Sequence, residues 1–298
     1  MTFLEVLTIA SGHIMNLKNS TMGVVDIAKP TSLQYAKHLA KVVSKLSPLV
    51  GNMIEFNLCE ELNKIDWKNE GIWIRQDPGF PDTLFKGNIK PAPGIEIKTW
   101  FPLATEITAR FKDSIKFFEQ DQTNVALVAW LPEFIIYGKP KLIDIWIGSA
   151  KSLAQARDLH YHNPPDYLVF EPEDTQNRTS NLQQTNTNGY KFQGKKEDLT
   201  DLEAYISGWG ENPKVYEPSV EYQRKVKDLM GRHSYRLDTN FAKMDRIRHV
   251  DLETFKTRVL NTNLFGHDIK TWAKLIGDEE KDIVQLIEEL IQAANQKI

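Results

Sequence analysis

The 298 residues contain a single cysteine, Cys59, and one thiol excludes both an internal disulfide and a thiolate zinc site. That suits a reducing compartment, and the expected address is cytoplasmic. Any metal must then be held by oxygen or imidazole ligands. Long apolar runs are also missing, so no stretch is expected to span a membrane. The opening FLEVLTIASGHIM carries a glutamate and lacks both a basic stretch and a small-residue cleavage site, so no secretory leader is expected. The third absence is an excess of positive charge: 37 Lys and Arg face 40 Asp and Glu, for a net charge of −3. Proteins that coat nucleic acid regardless of sequence draw their affinity from many basic residues, and this composition excludes that class. Binding to DNA requires bases gathered on one face with acids placed elsewhere.

What is present is a chain with 41% hydrophobic residues, enough for one large domain or two modest ones. In TSLQYAKHLAKVVSKLSP, apolar residues from Leu33 to Leu46 follow helical spacing, with Thr31 or Ser32 as cap and Pro48 as stop. A second helix is predicted in LVGNMIEFNLCEELNKI, where Ile54, Leu58, Leu62 and Ile65 form a stripe and Glu55 lies partly towards the interior. GIWIRQD and GIEIKTW read as strands, NVALVAWL as a fully buried strand, and LIDIWIGS and DYLVFEP as further strands. Between GIEIKTW and NVALVAWL, Leu103, Ile107, Phe111, Ile115 and Phe118 recur at helical spacing. A helical crossover there implies that the two strands pair in parallel. SLAQARDLHY reads as a helix.

The expected organisation has three parts. Residues 1–48 form an N-terminal arm and helix, and 49–215 a catalytic core with a polar loop at 172–197. Residues 216–298 form a C-terminal helical region for DNA contact or dimerisation.

The chemistry centres on PDTLFKGNIKPAPGIEIK, residues 81–98. A strand points residues i and i+2 to one face, so Glu96 and Lys98 share a face while Ile95 and Ile97 turn to the core. Asp82 comes from before the loop, whose Gly87, Pro91, Pro93 and Gly94 allow it to fold back beside Glu96. Two acids at close range repel unless a cation lies between them. Magnesium fits, because it takes one or two carboxylates and leaves positions for water and substrate phosphate. Such a metal activates water and neutralises charge at phosphorus, while the Lys98 ammonium orients the nucleophile and offsets developing negative charge. An acid, any residue, then lysine occurs four times, at Asp66, Glu96, Asp268 and Glu279. Only the Glu96 copy lies in an apolar strand shortly after a Pro-Asp pair. The competing explanation is a surface salt bridge.

These residues, Pro81-Asp82 and Glu96-Ile97-Lys98, resemble the PD-(D/E)xK nuclease superfamily, most closely type II restriction endonucleases. A narrower likeness, carried by GIEIKTWFPLATEIT, is to the MutH-like nicking endonucleases of mismatch repair. The resemblance covers about residues 50 to 131. It implies an α/β fold with a restriction-endonuclease-like core, a mixed β-sheet flanked by helices in the order αβββαβ, with the C-terminal helical region added. It also implies Asp82 and Glu96 as ligands of Mg2+, Lys98 as the catalytic lysine, Glu55 as an additional acid from the preceding helix, and the backbone carbonyl of Ile97 on the metal. The implied activity is Mg-dependent, sequence-specific cleavage of double-stranded DNA in a restriction-modification system. The partners are the DNA duplex and a second copy of the chain, since a homodimer matches a palindrome. The alternatives are a nicking repair endonuclease and a noncatalytic DNA-binding domain of the same fold.

Candidate phosphate contacts are Arg110, Lys112 and Lys116 just past the motif, and Arg224, Lys227, Arg232 and Arg236 in the most basic segment of the chain. The alternative for that segment is an ordinary solvated helix face. The Asn- and Gln-rich stretch at 175–193 could read adenine in the major groove, although disordered loops share its composition. His160 and His162, near Asp166, read either as metal ligands or as histidines at a helix end. Tryptophans at strand positions, among them Trp73, Trp100, Trp130 and Trp146, are expected in the core.

Overall fold

The computed structural model describes residues 1–77, 79–103, 118, 120–162, 168–170, 189–192, 197–211, 213, 220–232, 235–238, 249–277 and 292. Its main body is α/β, a mixed five-stranded sheet flanked by helices. The strands are β1 (Gly71–Arg75), β2 (Thr83–Gly87), β3 (Gly94–Trp100), β4 (Thr123–Pro132) and β5 (Pro140–Ser149), lying side by side in chain order. All neighbours are antiparallel except β3 and β4, which run parallel from Gly94 opposite Thr123 to Trp100 opposite Ala129. This is the pairing that a crossover connection requires. The helix expected there over 103–120 lies almost wholly outside the described residues. The apolar run of β4 is explained by burial on both faces, with Val125 to Leu131 fully enclosed.

Three helices precede the sheet. α1 (Phe3–Asn16) begins with a capping box in which the Thr2 side chain accepts from the Glu5 N–H and the Glu5 carboxylate accepts from the Thr2 N–H. It buries Val6, Ala10 and Ile14 at four-residue spacing. α2 (Leu33–Val42) is capped by Ser32 and continues through a 3-10 turn, Val43–Leu46, into α3 (Ser47–Leu62). Pro48 stands in the first turn of α3, where a missing N–H costs nothing. Val50, Ile54, Leu58 and Leu62 of α3 are buried, and the helix packs on β1 and β3. The close approach explains Gly51, where an added Cβ would meet the Thr99 hydroxyl at 2.5 Å.

Both sheet edges are covered. At β1, the Asn63 side chain donates to the Trp73 carbonyl and accepts from its N–H, substituting for a neighbouring strand. At β5, the segment after α1 makes bridges from Thr21 to Lys141 and from Ile27 to Gly138. The supposed N-terminal arm is thus a helix and an edge cover.

The chain falls into two compact units that alternate along the sequence. One comprises Met1–Ile107, Lys116–Ser152 and His249–Ile298; the other comprises Thr108–Ile115 and Leu153–Arg248. This differs from the sequential three-part division expected above. The first unit reclaims α7 (Val250–Leu260), the short hairpin β9 (Asn263–Leu264) and β10 (His267–Asp268), and α8 (Ile269–Gly277). Leu252, Phe255 and Val259 give the reason, since they bury one face of α7 against the first unit, with Phe255 against Trp100 and the helix on β5.

The second unit contains most of α4 (Ala150–His162), a three-stranded sheet of β6 (Leu168–Phe170), β7 (Gly189–Phe192) and β8 (Tyr235–Asp238), and the helices α5 (Asp198–Ser207) and α6 (Val220–Arg232). Two expectations are corrected here. The polar stretch at 172–197 includes strand β7, and the region expected to be helical from 216 onward contains a strand as well as α6, with Tyr235–Asp238 paired to β7. Residues 171–188 and 278–291 lie outside the described set. Among the described residues no helix is long and apolar enough to cross a membrane.

Candidate active site

The site forms where β2 and β3 part. Their ladder holds only two pairs, Thr83 with Ile95 and Leu84 with Gly94. Beyond it, side chains replace main-chain partners. The Ile97 N–H donates to Asp82 Oδ2 at 2.7 Å, and the Asp82 N–H donates to Glu96 Oε2 at 3.0 Å. Each acid is therefore fixed by the backbone of the strand opposite it, and charge-assisted bonds of this kind are the strong ones. Gly94 permits the approach, because a Cβ there would meet Pro81 Cγ at 2.4 Å.

Lys98 lies between the two acids. Its Nζ is 2.5 Å from Glu96 Oε1 and 3.1 Å from Asp82 Oδ2, and it also donates to the Ile97 carbonyl at 3.1 Å. Ile95 and Ile97 are fully buried on the opposite face, so the strand anchors the polar pair as the alternation predicts. Burial works to lower the Lys98 pKa, but Glu96 and Asp82 outweigh it and hold the ammonium above the ordinary lysine value. Glu96 is 6% exposed. Burial, aided by the charge of Asp82, raises its pKa against the pull of Lys98.

Glu55 approaches from α3, one helical turn past Gly51. Burial pushes its pKa up to about 7, with the Asp82 charge adding to the shift and Lys98 and Arg75 opposing it. Asp82 and Glu96 share the Lys98 ammonium, Glu55 stands near them without an ion pair among the described residues, and both glutamates resist ionisation chiefly because they are buried.

The donor set is all oxygen: the Asp82 and Glu96 carboxylates and the Ile97 carbonyl. It suits a hard divalent cation that completes its shell with water and substrate. The surplus of buried negative charge is what such a cation neutralises. Among the described residues no three His, Cys, Asp or Glu side chains gather closely enough to hold a metal by themselves. A cation between Asp82 and Glu96 must also displace the ammonium that now bridges them.

Gln76 is a positioning residue that sequence reasoning missed. Its N–H donates to the Asp82 carbonyl at 2.8 Å and its side chain to the Pro81 carbonyl at 2.9 Å, fixing the Pro-Asp turn from the end of β1. The available signal was its position, the first residue after GIWIR and on the other side of the turn from Asp82.

Arg110, Lys112, Lys116 and Asp166 lie outside the described residues. Arg224 and Lys227 are on α6 and Arg236 is on β8, in the second unit. Arg232 on α6 is already engaged, paired with Asp228 at 3.2 Å and set over the Tyr205 ring at 4.5 Å. His160 and His162 fall in the last turn of α4. Of the other acid-X-lysine copies, Asp66 accepts from the Lys68 N–H in a turn and Asp268 accepts from the Thr271 N–H at the start of α8. Trp73, Trp100 and Trp130 are core residues, as expected. The chain matches no protein-family model, no curated protein and no solved structure.

Proposed function

We propose that the chain is a magnesium-dependent endonuclease of the PD-(D/E)xK type, acting on double-stranded DNA in the manner of type II restriction enzymes. The observation that carries this is the fork itself: a Pro-Asp turn and a Glu-X-Lys strand locked together by reciprocal carboxylate-to-amide bonds. Asp82, Glu96 and the Ile97 carbonyl would hold the ion, which when bound would supply a water of lowered pKa and positive charge beside the scissile phosphate. With the two carboxylates so engaged, Lys98 would be released from its present pairing to face the phosphate. There its ammonium orients the attacking water and offsets charge on the phosphoryl oxygens. Glu55, titrating near neutrality, takes up a proton at its carboxylate as the water is activated.

A second reading, a noncatalytic DNA-binding domain of the same fold, draws support from Lys98 already bridging both acids. One assay separates the two. Supercoiled plasmid incubated with Mg2+ is expected to be cut, and Lys98→Ala to slow cutting by about a hundred- to a thousandfold while DNA binding stays within a few-fold. Undiminished cutting by the variant removes the catalytic assignment, and wild-type protein that cuts neither plasmid nor genomic DNA in Mg2+ selects the noncatalytic reading. Prompt linear product supports a homodimer on a palindrome, whereas persistent open circles indicate a nicking enzyme.

A further inference from the structure

The 28 residues from Ile27 to Ile54 contain no Asp or Glu, although acids outnumber bases in the chain as a whole. Within them α2 and the turn that follows carry Lys37, Lys41 and Lys45 at four-residue spacing, with His38 beside them. The opposite face is apolar and packed: Ala36, Leu39, Ala40 and Val43 are all buried. His38, Lys41 and Lys45 are exposed and Lys37 is half-buried. Among the described residues none of the three lysines forms an ion pair.

Helix α6 handles its charge differently. Its Lys225 is paired with Glu221 at 3.1 Å and its Arg232 with Asp228 at 3.2 Å, each one turn away. Bases one turn from acids support a helix, whereas like charges at that spacing weaken it. α2 therefore carries a cationic stripe that its own stability does not need. We propose that this stripe, Lys37, Lys41 and Lys45 with His38 and the exposed Tyr35, binds the phosphate backbone of duplex DNA. It stands apart from the basic segment that the sequence pointed to. The surface is a row of unpaired cations, complementary to a regular polyanion, and it feeds directly into α3. Glu55 lies eight residues into α3, about 12 Å along its axis. The choice of DNA as the polyanion rests on the nuclease reading above.

Binding of the full-length protein to a fluorescent, random-sequence DNA duplex, measured in EDTA over a series of salt concentrations, tests the proposal. Each phosphate neutralised contributes about 0.9 to the slope of log affinity against log salt. The variant Lys37→Gln/Lys41→Gln/Lys45→Gln is therefore expected to lose about 2 to 3 units of slope, with an unchanged circular dichroism spectrum because all three side chains reach the surface. An unchanged slope overturns the proposal. So does wild-type protein that sediments with phosphatidylserine vesicles but ignores the duplex. A wild type that binds DNA with a slope lost in the triple variant, yet leaves plasmid intact in Mg2+, upholds the surface and removes the nuclease reading instead.

Discussion

Two buried carboxylate clusters sit on the same five-stranded sheet with opposite charge ratios. On β5, Asp144 is 1% exposed and is held by the Lys18 ammonium at 2.9 Å, by the Arg258 guanidinium, and by the Ile145 N–H at 2.9 Å. Burial works to raise its pKa, but Arg258 and Lys18 prevail and keep it below the ordinary aspartate value. At the β2/β3 fork, Asp82 and Glu96 share the single ammonium of Lys98, and Glu55 and Glu96 are shifted upwards, chiefly by burial. The first cluster has its charge in hand and ties the end of α1 and helix α7 to the sheet. The second has fewer cations than acids, with Glu55 in no ion pair among the described residues, and it is this shortfall that the nuclease proposal assigns to a bound divalent ion. Burial of a carboxylate is common to both, and the ratio of partners separates the roles.

The largest expected effect breaks the first cluster. Lys18→Ala/Arg258→Ala leaves Asp144 buried without either cation, and loss of such partners costs about 3–5 kcal/mol. A urea unfolding midpoint well below that of the wild type is the expected outcome. A shift of less than about 1 kcal/mol would show that solvent reaches Asp144 and that it is no structural anchor. The same measurement on Lys98→Ala should show a smaller loss at mildly acidic pH, because Glu55 and Glu96, with raised pKa values, take up protons where Asp144, with a lowered one, does not.

Glu55→Gln gives the next largest effect, of opposite sign. The folded pKa of Glu55 is raised, so its ionisation opposes folding. The penalty is absent below the ordinary glutamate value, grows as pH rises towards about 7, and is constant above it. The amide escapes it, so the variant should be more stable than the wild type at about pH 8, by at most about 3 kcal/mol, and similar to it at about pH 4. Equal stabilities at both pH values would mean that Glu55 is neither kept from solvent nor crowded by Asp82, and that the fork holds two acids, not three.

Local and long-range features explain what was readable in the chain. The apolar runs of β3 and β4 and their parallel pairing were legible, because burial on both faces and the crossover leave a clear signature. Asp82, Glu96 and Lys98 were legible because two of them lie on one strand and the third is only sixteen residues away. What held them was not, since the bonds from the Ile97 and Asp82 N–H groups depend on the ladder ending after two pairs. The Asp144 cluster left no trace in the sequence, with Asp144 and Arg258 separated by 114 positions. α1 was not expected, although its capping box at Thr2 and Glu5 and its stripe at Val6, Ala10 and Ile14 are local features of the sequence. β8 was missed because YRLD follows a genuine helix without a strong break in composition.

A smaller effect sharpens the comparison on its acid side. Asp144 has a lowered pKa, so the stability it supplies is present above the ordinary aspartate value and is lost as pH falls through its folded value. Asp144→Asn should therefore lie below the wild type at neutral pH, and the gap should close as pH falls below the ordinary aspartate value and through the lowered folded one. A gap that persists in strong acid would assign the effect to packing of the carboxylate oxygens, not to their charge.

The smallest expected effect comes from a third acid that has a partner but no burial. Asp228 on α6 accepts from the Tyr205 hydroxyl at 2.7 Å and pairs with Arg232 at 3.2 Å, and these contacts hold its pKa below the ordinary value. Its charge ratio resembles that of Asp144, yet it lies at the surface, where water and salt screen the pair. Asp228→Asn should lower the melting temperature less than Asp144→Asn does, and the difference from wild type should vanish in about 1 M NaCl. More of the Asp144→Asn difference should persist in the same salt, because the Asp144 carboxylate is buried and a partly buried pair is screened less than an exposed one. If both differences disappear together, charge ratio alone does not distinguish anchor from site, and burial must be measured at each cluster before either role is assigned.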